Sequence, residues 1–240
     1  MAAHVFVADL DAPVLDEADR HHLSRSLRVR PGEEVTASDG VGRWRRCRYA
    51  SGGALEPFGP LTCEQPPAPA LAVGFVVTKG SRPEWVVQKL TELGVDRIIP
   101  LSSSRSVVKW DRPRAERNLE RLRRVAKEAA MQSRRNRLPD VAPVIPVGEL
   151  VSGSVADAGG VALAAIGGKP PTLEHPCVLV GPEGGWDRAE LDCGLPSVGL
   201  GPSVLRAETA AVVAGALLCS LRAGLVSPAS VAAGTPGPER

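Results

Sequence analysis

The hydrophobic and polar positions of the 240-residue chain follow two different periods, one before and one after a proline-rich stretch at residues 66–69. Before this stretch, short runs of alternating and β-branched residues predict strands. These runs cover residues 4–7, 33–38 and 43–49. The Asp-Gly pair at 39–40 predicts a hairpin turn between the last two strands, and residues 16–26 predict a short helix. We therefore expect a small β-rich unit, a barrel, over residues 1–68.

After the proline-rich stretch, continuous apolar runs alternate with segments of helical periodicity. Runs without polar positions are typical of strands that are buried on both faces of a parallel sheet. Predicted strands cover residues 71–77, 97–101, 161–166, 177–180 and 197–200, and predicted helices cover residues 82–93, 114–132 and 207–221. Ser81 and Glu84 have the spacing of a capping box for the first helix. The alternation predicts an α/β domain with a mostly parallel sheet over residues 70–227. Residues 228–240 are mostly Pro, Gly, Ala and Ser, which predicts a disordered tail.

The composition is that of an ordinary globular protein, with 43% hydrophobic and 23% charged residues. The longest apolar run, at residues 209–221, is too short to span a bilayer, and the first residues lack the pattern of a signal peptide. Five cysteines without a Cys-x-x-Cys pair indicate free thiols in a reducing cytoplasm. With only four histidines and no His-Glu-x-x-His motif, we expect no metal site. These features exclude the secreted, membrane and wholly disordered classes.

Positive charge is concentrated in one segment of a chain whose formal net charge is only +2. Residues 105–137 contain 12 Arg or Lys residues and four Asp or Glu residues, a local excess of eight positive charges. Such an excess is typical of nucleic-acid binding. The alternative is a solvated helix face with internal ion pairs, although four carboxylates cannot pair with twelve cations.

Two glycine-rich segments follow predicted strands and precede predicted helices. The first is Gly-Pro-Glu-Gly-Gly at residues 181–185, and the second begins with Gly-Leu-Gly-Pro at residues 199–202. Glycine lets a backbone approach a ligand closely, and ligands of open α/β sheets bind at the carboxyl ends of strands. Neither segment fits the dinucleotide fingerprint or the P-loop, so we expect a different ligand. The structural alternatives are a plain strand-to-helix turn and a local ion pair between Arg206 and Glu208.

Together with three further motifs, these segments carry a resemblance to a known family. The motifs are His-Leu-x-Arg-Ser-Leu-Arg-Val-Arg-Pro-Gly at residues 22–32, Lys-Gly at 79–80, Lys-Leu-x-Glu-Leu-Gly at 89–94, Gly-Pro-Glu-Gly-Gly at 181–185 and Leu-Gly-Pro-x-Val-Leu-Arg-x-Glu-Thr-Ala at 200–210. The chain resembles the SPOUT superfamily of methyltransferases, specifically the RsmE family, which methylates N3 of a uridine in small-subunit ribosomal RNA. One departure is Met131, in Met-Gln-Ser-Arg-Arg, where the family often has Glu-Gln-Ser-Gly-Arg.

The resemblance implies a fold, a cofactor and partners. The fold would be α/β, with a C-terminal SPOUT domain that forms a deep trefoil knot and an N-terminal PUA-like β-barrel that helps to hold RNA. S-adenosylmethionine would be the cofactor of a homodimer, and the substrate would be 16S ribosomal RNA, naked or within the small subunit. Two competing interpretations stay open: a non-catalytic RNA-binding assembly factor with this fold, and an α/β enzyme that uses another nucleotide cofactor.

The resemblance also implies which residues form the site. The implied cofactor-binding residues are Ile166, Gly181, Pro182, Glu183, Gly184, Gly185, Leu200, Gly201, Val204 and Leu205. Arg206 is the first candidate for stabilising negative charge on the uracil. Glu183 and Glu208 are candidates for accepting the N3 proton or for orienting Arg206. The candidates for gripping RNA phosphates are Arg25, Arg28, Arg30, Arg134, Arg135 and Arg137. Trp44 and Trp186 could stack on a base, although core packing is the favoured role of each.

Overall fold

The computed structural model describes residues 2–106, 108, 110–152 and 160–227. The tail expected at residues 228–240 therefore lies outside the described residues. Two sheets organise the described chain, one of four strands in the N-terminal unit and one of seven strands in the C-terminal domain. The first sheet ends at Cys63 and the second begins at Ala72, so the change of pattern at the proline-rich stretch falls between them.

The N-terminal sheet has the strand order β1-β2-β3-β4. Its elements are β1 (Ala3–Phe6), α1 (Glu17–His21) with a π-helical turn at His22–Ser26, β2 (Glu34–Ser38), β3 (Arg43–Tyr49) and β4 (Leu55–Cys63). β1 and β2 are parallel, whereas β3 is antiparallel to both β2 and β4. The predicted strands, hairpin and helix are confirmed. The pattern does not predict β4, because Pro57 and Pro60 interrupt it. Both prolines are tolerated because β4 lies at the edge of the sheet.

The C-terminal domain contains a seven-stranded sheet in which all the described strand pairs are parallel. Its strands are β5 (Ala72–Val76), β6 (Arg97–Ser102), β7 (Asp140–Val141), β8 (Ile145–Pro146), β9 (Val161–Lys169), β10 (Cys177–Val180) and β11 (Ser197–Val198). The order is β11-β9-β10-β5-β6-β7, and β8 also pairs with β6. The helices are α2 (Arg82–Leu93), α3 (Arg112–Ser133), α4 (Val147–Ser152), α5 (Arg188–Leu191) and α6 (Ala207–Arg222). The predicted α/β domain with a parallel sheet is confirmed.

Both faces of this sheet are covered, as its apolar strands require. Along β5, Val73 and Phe75 belong to a core that includes side chains of α2, α3 and α6. Ala72 and Val76, which point to the other face, belong to a second core that includes Leu150 of α4. Within the described ranges, no helix has the length and apolar character needed to cross a membrane.

The two ends of α2 are capped differently. The capping-box prediction is wrong, because Ser81 makes no side-chain hydrogen bond at the helix start. Glu84 instead forms an ion pair with Arg121 of α3, with 3.1 Å between Oε1 of Glu84 and Nε of Arg121. At its other end, α2 has Gly94 as the C-cap, with a φ of 104°, a left-handed conformation that favours glycine.

The end of α3 joins the two sheets. Met131 is buried in the same core as Val5 and Leu23 of the N-terminal unit. These apolar surroundings suit methionine at the position where the family often has glutamate. Beyond the helix, the Nε2–H group of His4 donates to the carbonyl oxygen of Arg135 at 3.0 Å. The two units therefore share a core and a partly buried hydrogen bond.

A largely buried ionic network includes Arg135, whose carbonyl oxygen accepts the hydrogen bond from His4. The carboxylate of Asp96 accepts a hydrogen bond from the backbone N–H of Leu71 at 2.9 Å and another from the guanidinium of Arg222. Arg135 Nη2 lies 3.7 Å from the second carboxylate oxygen, and its Nη1 donates to two backbone carbonyls at 2.9 Å each. Burial lowers the pKa of the Arg135 guanidinium. We call Asp96, Arg135 and Arg222 the Asp96 network.

Candidate cofactor and RNA site

The predicted cofactor-binding residues lie at the carboxyl ends of three neighbouring strands. β9 lies between β11 and β10 in the sheet, and all three strands are parallel. Ile166 lies near the end of β9, residues 181–185 follow β10, and residues 200–205 follow β11. Because the carboxyl ends of parallel strands meet at one edge, the fold brings these separate segments together there.

Glycines let the backbone segments of this edge approach one another. A Cβ on Gly199 would lie 2.7 Å from the carbonyl oxygen of Gly168, closer than real Cβ atoms come. A Cβ on Gly181 would lie 2.9 Å from the indole of Trp186. That indole is buried and donates from Nε1 to the carbonyl of Ala164 at 3.0 Å. The core role favoured for Trp186 is therefore confirmed, and the first glycine of the loop is needed to accommodate it.

Two apolar side chains of this edge face solvent. Ile166 is 76% exposed and Val204 is 83% exposed, although both are branched aliphatic residues. Leu200 and Leu205 are partly buried against the main core and anchor the loop that carries Val204. An exposed apolar surface beside glycine-rich backbone suits a ligand with a flat apolar part and polar edges, such as adenine.

The carboxylates of the site are held by a residue that the sequence interpretation did not include. Arg82, at the start of α2, donates from Nη1 to Glu183 at 2.9 Å, and its Nε lies 3.5 Å from Glu208. Arg82 therefore bridges the loop after β10 and the first turn of α6. Its position two residues after the Lys-Gly motif, in the segment that follows β5, is the signal that could have identified it.

Arg206 has no such attachment. It is the N-cap residue of α6, its side chain is exposed, and it makes no ion pair or side-chain hydrogen bond with the described residues. The alternative interpretation, an ion pair between Arg206 and Glu208, is not found, because Glu208 pairs with Arg82. Neither carboxylate orients Arg206 in this structure, so its guanidinium is free to contact a ligand.

The loop after β6 also contacts the Gly-Pro-Glu-Gly-Gly segment and the start of α5. Arg105 donates from Nη1 to the carbonyl of Gly184 at 3.1 Å. Ser104 donates from its hydroxyl to Asp187, and this hydrogen bond lowers the pKa of the Asp187 carboxyl. Asp187 and Glu190 form a capping box at the start of α5. These contacts fix the C-terminal end of the segment.

The six arginines predicted to hold RNA occupy three kinds of position. Arg25, Arg28, Arg30 and Arg134 have exposed side chains, as phosphate contacts require. Arg137 is half-buried and donates to the backbone carbonyl of Glu64. Arg135 belongs to the Asp96 network, and its guanidinium donates to carbonyls inside the protein. Its position does not support phosphate binding, because the side chain is only 14% exposed and its Nη1 group already donates inside the protein.

The residues present fit S-adenosylmethionine. The glycine-rich loops offer backbone groups without intervening Cβ atoms, and Ile166 and Val204 offer exposed apolar contact. Oε2 of Glu208 is a buried acceptor that has no hydrogen-bond partner among the described residues. A buried acceptor of this kind is costly unless a donor reaches it, and a bound ligand can supply one.

Comparisons with known proteins agree with this geometry. Residues 64–219 match the RNA methyltransferase domain family, and residues 15–55 match the RNA methyltransferase PUA domain. The chain is 34% identical over 218 residues to the ribosomal RNA small subunit methyltransferase E of Mycobacterium bovis, which covers 84% of this chain and 83% of that protein. It is 31% identical over 227 residues to the Bacillus subtilis protein of the same name, over 81% of this chain and 84% of that protein.

A solved structure is similar over nearly the whole chain. The ribosomal RNA small subunit methyltransferase E of Neisseria gonorrhoeae, bound to S-adenosylmethionine, superposes with a TM-score of 0.79 at 28% identity. The superposition covers 92% of this chain and 98% of that one. The similarity therefore includes both sheets and the edge that carries the three loops.

Proposed function

The chain belongs to the ribosomal RNA small subunit methyltransferase E family, and on that premise we propose that it methylates N3 of a uridine in 16S ribosomal RNA with S-adenosylmethionine as the methyl donor. The observation that carries the proposal is the convergence of three loops at one sheet edge, beside Arg206, which is unpaired within the described ranges. A non-catalytic RNA-binding protein would not need these loops to be intact.

The cofactor would be held by backbone groups of residues 181–185 and 200–205, with Ile166 and Val204 against its base. When bound, S-adenosylmethionine supplies an electrophilic methyl group. The protein's own task is to position the uracil and to manage its charge. The target base must leave any stack to reach the loops, because N3 lies inside a base-paired or stacked structure.

Arg206 would stabilise the uracil as N3 loses its proton. Negative charge then develops on O2 and O4, and a free guanidinium can donate to one of these oxygens. Glu208 is the better placed of the two candidate proton acceptors, because its Oε2 has no partner in the described chain, whereas Glu183 is 59% exposed. Arg82 would keep both carboxylates in position.

We also infer the finer features of the family architecture. The close backbone approach of Gly168 and Gly199 is compatible with a deep trefoil knot in the C-terminal domain, and the N-terminal sheet with a PUA-like barrel. A homodimer is supported by α6, which buries Ala211 and Leu218 within the chain but leaves Val213 and Leu217 only half-buried. A ribosomal RNA substrate implies a cytoplasmic protein.

The proposal is tested in two steps. Calorimetric titration should give saturable binding of S-adenosylmethionine to the purified protein. Small ribosomal subunits that lack the modification should then acquire one methyl group per 16S RNA, which mass spectrometry of nucleosides locates on N3 of uridine. Cofactor binding without methyl transfer, to subunits or to naked 16S RNA, would contradict the enzyme. RNA binding without cofactor binding would instead favour the assembly-factor interpretation.

A further inference from the structure

A cavity lies beside the loops that are proposed to hold the cofactor. Its volume is about 410 Å³, within the range of small-ligand pockets. It lies between the segment after β5, the first turn of α2 and the first half of α3. The lining residues that matter here are Lys79, Glu84, Trp110, Arg114, Asn118 and Arg121.

The cavity carries an excess of positive charge. Of the three cations in the described part of its lining, only Arg121 has a carboxylate partner among the described residues, Glu84 at 3.1 Å. Lys79 and Arg114 form no side-chain hydrogen bond or ion pair within the described chain, and both are exposed. Two unpaired cations that line one concave site attract an anion, since their fields add there.

The cavity also offers contacts that suit a nucleobase. Trp110 is partly buried against the main core, so its indole is held rather than mobile. A fixed indole is a surface on which a base of any sequence can stack. Asn118 adds an amide that can donate and accept, and its side chain has no hydrogen-bond partner among the described residues.

The position of the cavity connects it to the methylation site. Arg82, which bridges Glu183 and Glu208, is followed directly by Pro83 and Glu84 of the cavity wall. In the sheet, β5 is the neighbour of β10, so the two loops at their carboxyl ends are adjacent. Neighbouring strands are only about 4.8 Å apart. A chain that crosses this edge can therefore occupy the cavity and the cofactor loops together.

We propose that this cavity binds a nucleotide of the substrate RNA next to the methylated uridine, with its phosphate on Lys79 and Arg114 and its base on Trp110. The inference rests on the proposed function, because it assigns the neighbour of the target base. A nucleotide held here would fix the register of the RNA and leave the adjacent base to enter the cofactor site. The cavity would thus contribute to the KM for RNA rather than to chemistry.

The test compares two pairs of charge-removing variants. In the first, Lys79→Ala is combined with Arg114→Ala. In the matched control, Arg117→Ala is combined with Arg124→Ala, which removes two exposed cations of α3 that lie outside the cavity. Methyl transfer to small ribosomal subunits is measured for each, together with S-adenosylmethionine affinity and melting temperature. Lys79→Gln with Arg114→Gln provides a second cavity variant of similar side-chain size and polarity.

The cavity variants should raise the KM for RNA at least about 10-fold, since charged hydrogen bonds to phosphate are lost. Their kcat and cofactor affinity should stay within about 3-fold of wild type, and the control pair should change KM by less than about 3-fold. Trp110→Phe should retain more affinity than Trp110→Ala. Equal KM values for cavity and control variants would overturn the inference while leaving the methyltransferase proposal intact. A wild-type protein that does not methylate the subunit would instead overturn the proposed function itself.

Discussion

Removing the carboxylate of the Asp96 network should destabilise the whole protein. In Asp96→Ala, the guanidinium of Arg222 loses its ion pair, Arg135 loses its nearest carboxylate, and the N–H of Leu71 loses its acceptor. Removing one partner of a fully buried ion pair costs about 3–5 kcal/mol. The three charged side chains keep 14–19% of their exposure, so water offsets part of this cost. We therefore expect a loss near the lower limit, about 3 kcal/mol.

A loss of about 3 kcal/mol corresponds to a fall in Tm of about 6–12 °C for a chain of this length, at roughly 2–4 °C per kcal/mol. Thermal and urea unfolding followed by circular dichroism would measure it. Glu116→Ala is the control, because Glu116 pairs with Arg112 on the surface at 3.3 Å and should contribute little. Asp96→Asn should lie between the two, since it keeps an acceptor for Leu71 but not the charge. A loss below about 1 kcal/mol in Asp96→Ala would refute the reasoning.

Three further predictions concern catalysis, pH and assembly. Arg206→Ala should bind S-adenosylmethionine within a few-fold of wild type but transfer methyl about 100- to 1000-fold more slowly; a normal single-turnover rate at saturating cofactor would reject the role of Arg206. Burial lowers the pKa of His4 to about 4, so the folded state resists protonation and stability should fall as the pH drops below 6.5. The titration of His4 should lower the free energy of unfolding by about 2 kcal/mol between pH 7 and pH 5. Urea unfolding of His4→Gln, whose side chain does not titrate, should not show this decrease. Leu217→Glu should give a monomer by light scattering, and a monomeric wild type at micromolar concentration would contradict the dimer.

The parts of the fold that the sequence predicts are those with a local pattern. β3 (Arg43–Tyr49) alternates in burial over most of its length, and β10 (Cys177–Val180) is uniformly apolar, so their predicted bounds match the structure. β7 (Asp140–Val141) and β8 (Ile145–Pro146) have only two residues each, too few for any period. They exist because β6, far from them in sequence, offers unpaired backbone groups.

The features of the candidate site also divide into those that a local sequence pattern predicts and those that depend on tertiary structure. The order of strand, glycine-rich segment and helix is local, and it predicts the loops at residues 181–185 and 200–205. The partners of individual arginines depend on tertiary structure and are not predicted. Arg82 and Arg206 cannot be told apart by composition, yet Arg82 bridges two carboxylates, whereas Arg206 has no partner among the residues that the structure describes. Arg134 and Arg135 are adjacent, but the left-handed backbone of Arg134, with φ of 57°, directs the next side chain inward.

The bridge made by Arg82 has a consequence for how a newly made chain becomes active. Arg82 and Glu183 are separated by 101 positions, and β5 completes its pairing only with β10, which starts 105 positions after it. Contacts between such distant positions form slowly, because the long intervening loop must close first. Until the ribosome has added residues 177–180, β5 has no partner on that side, and its apolar edge is open to association with other chains. Because the proposed cofactor site needs residues 181–185 and 200–205, cofactor binding can begin only after residue 205 has been synthesised.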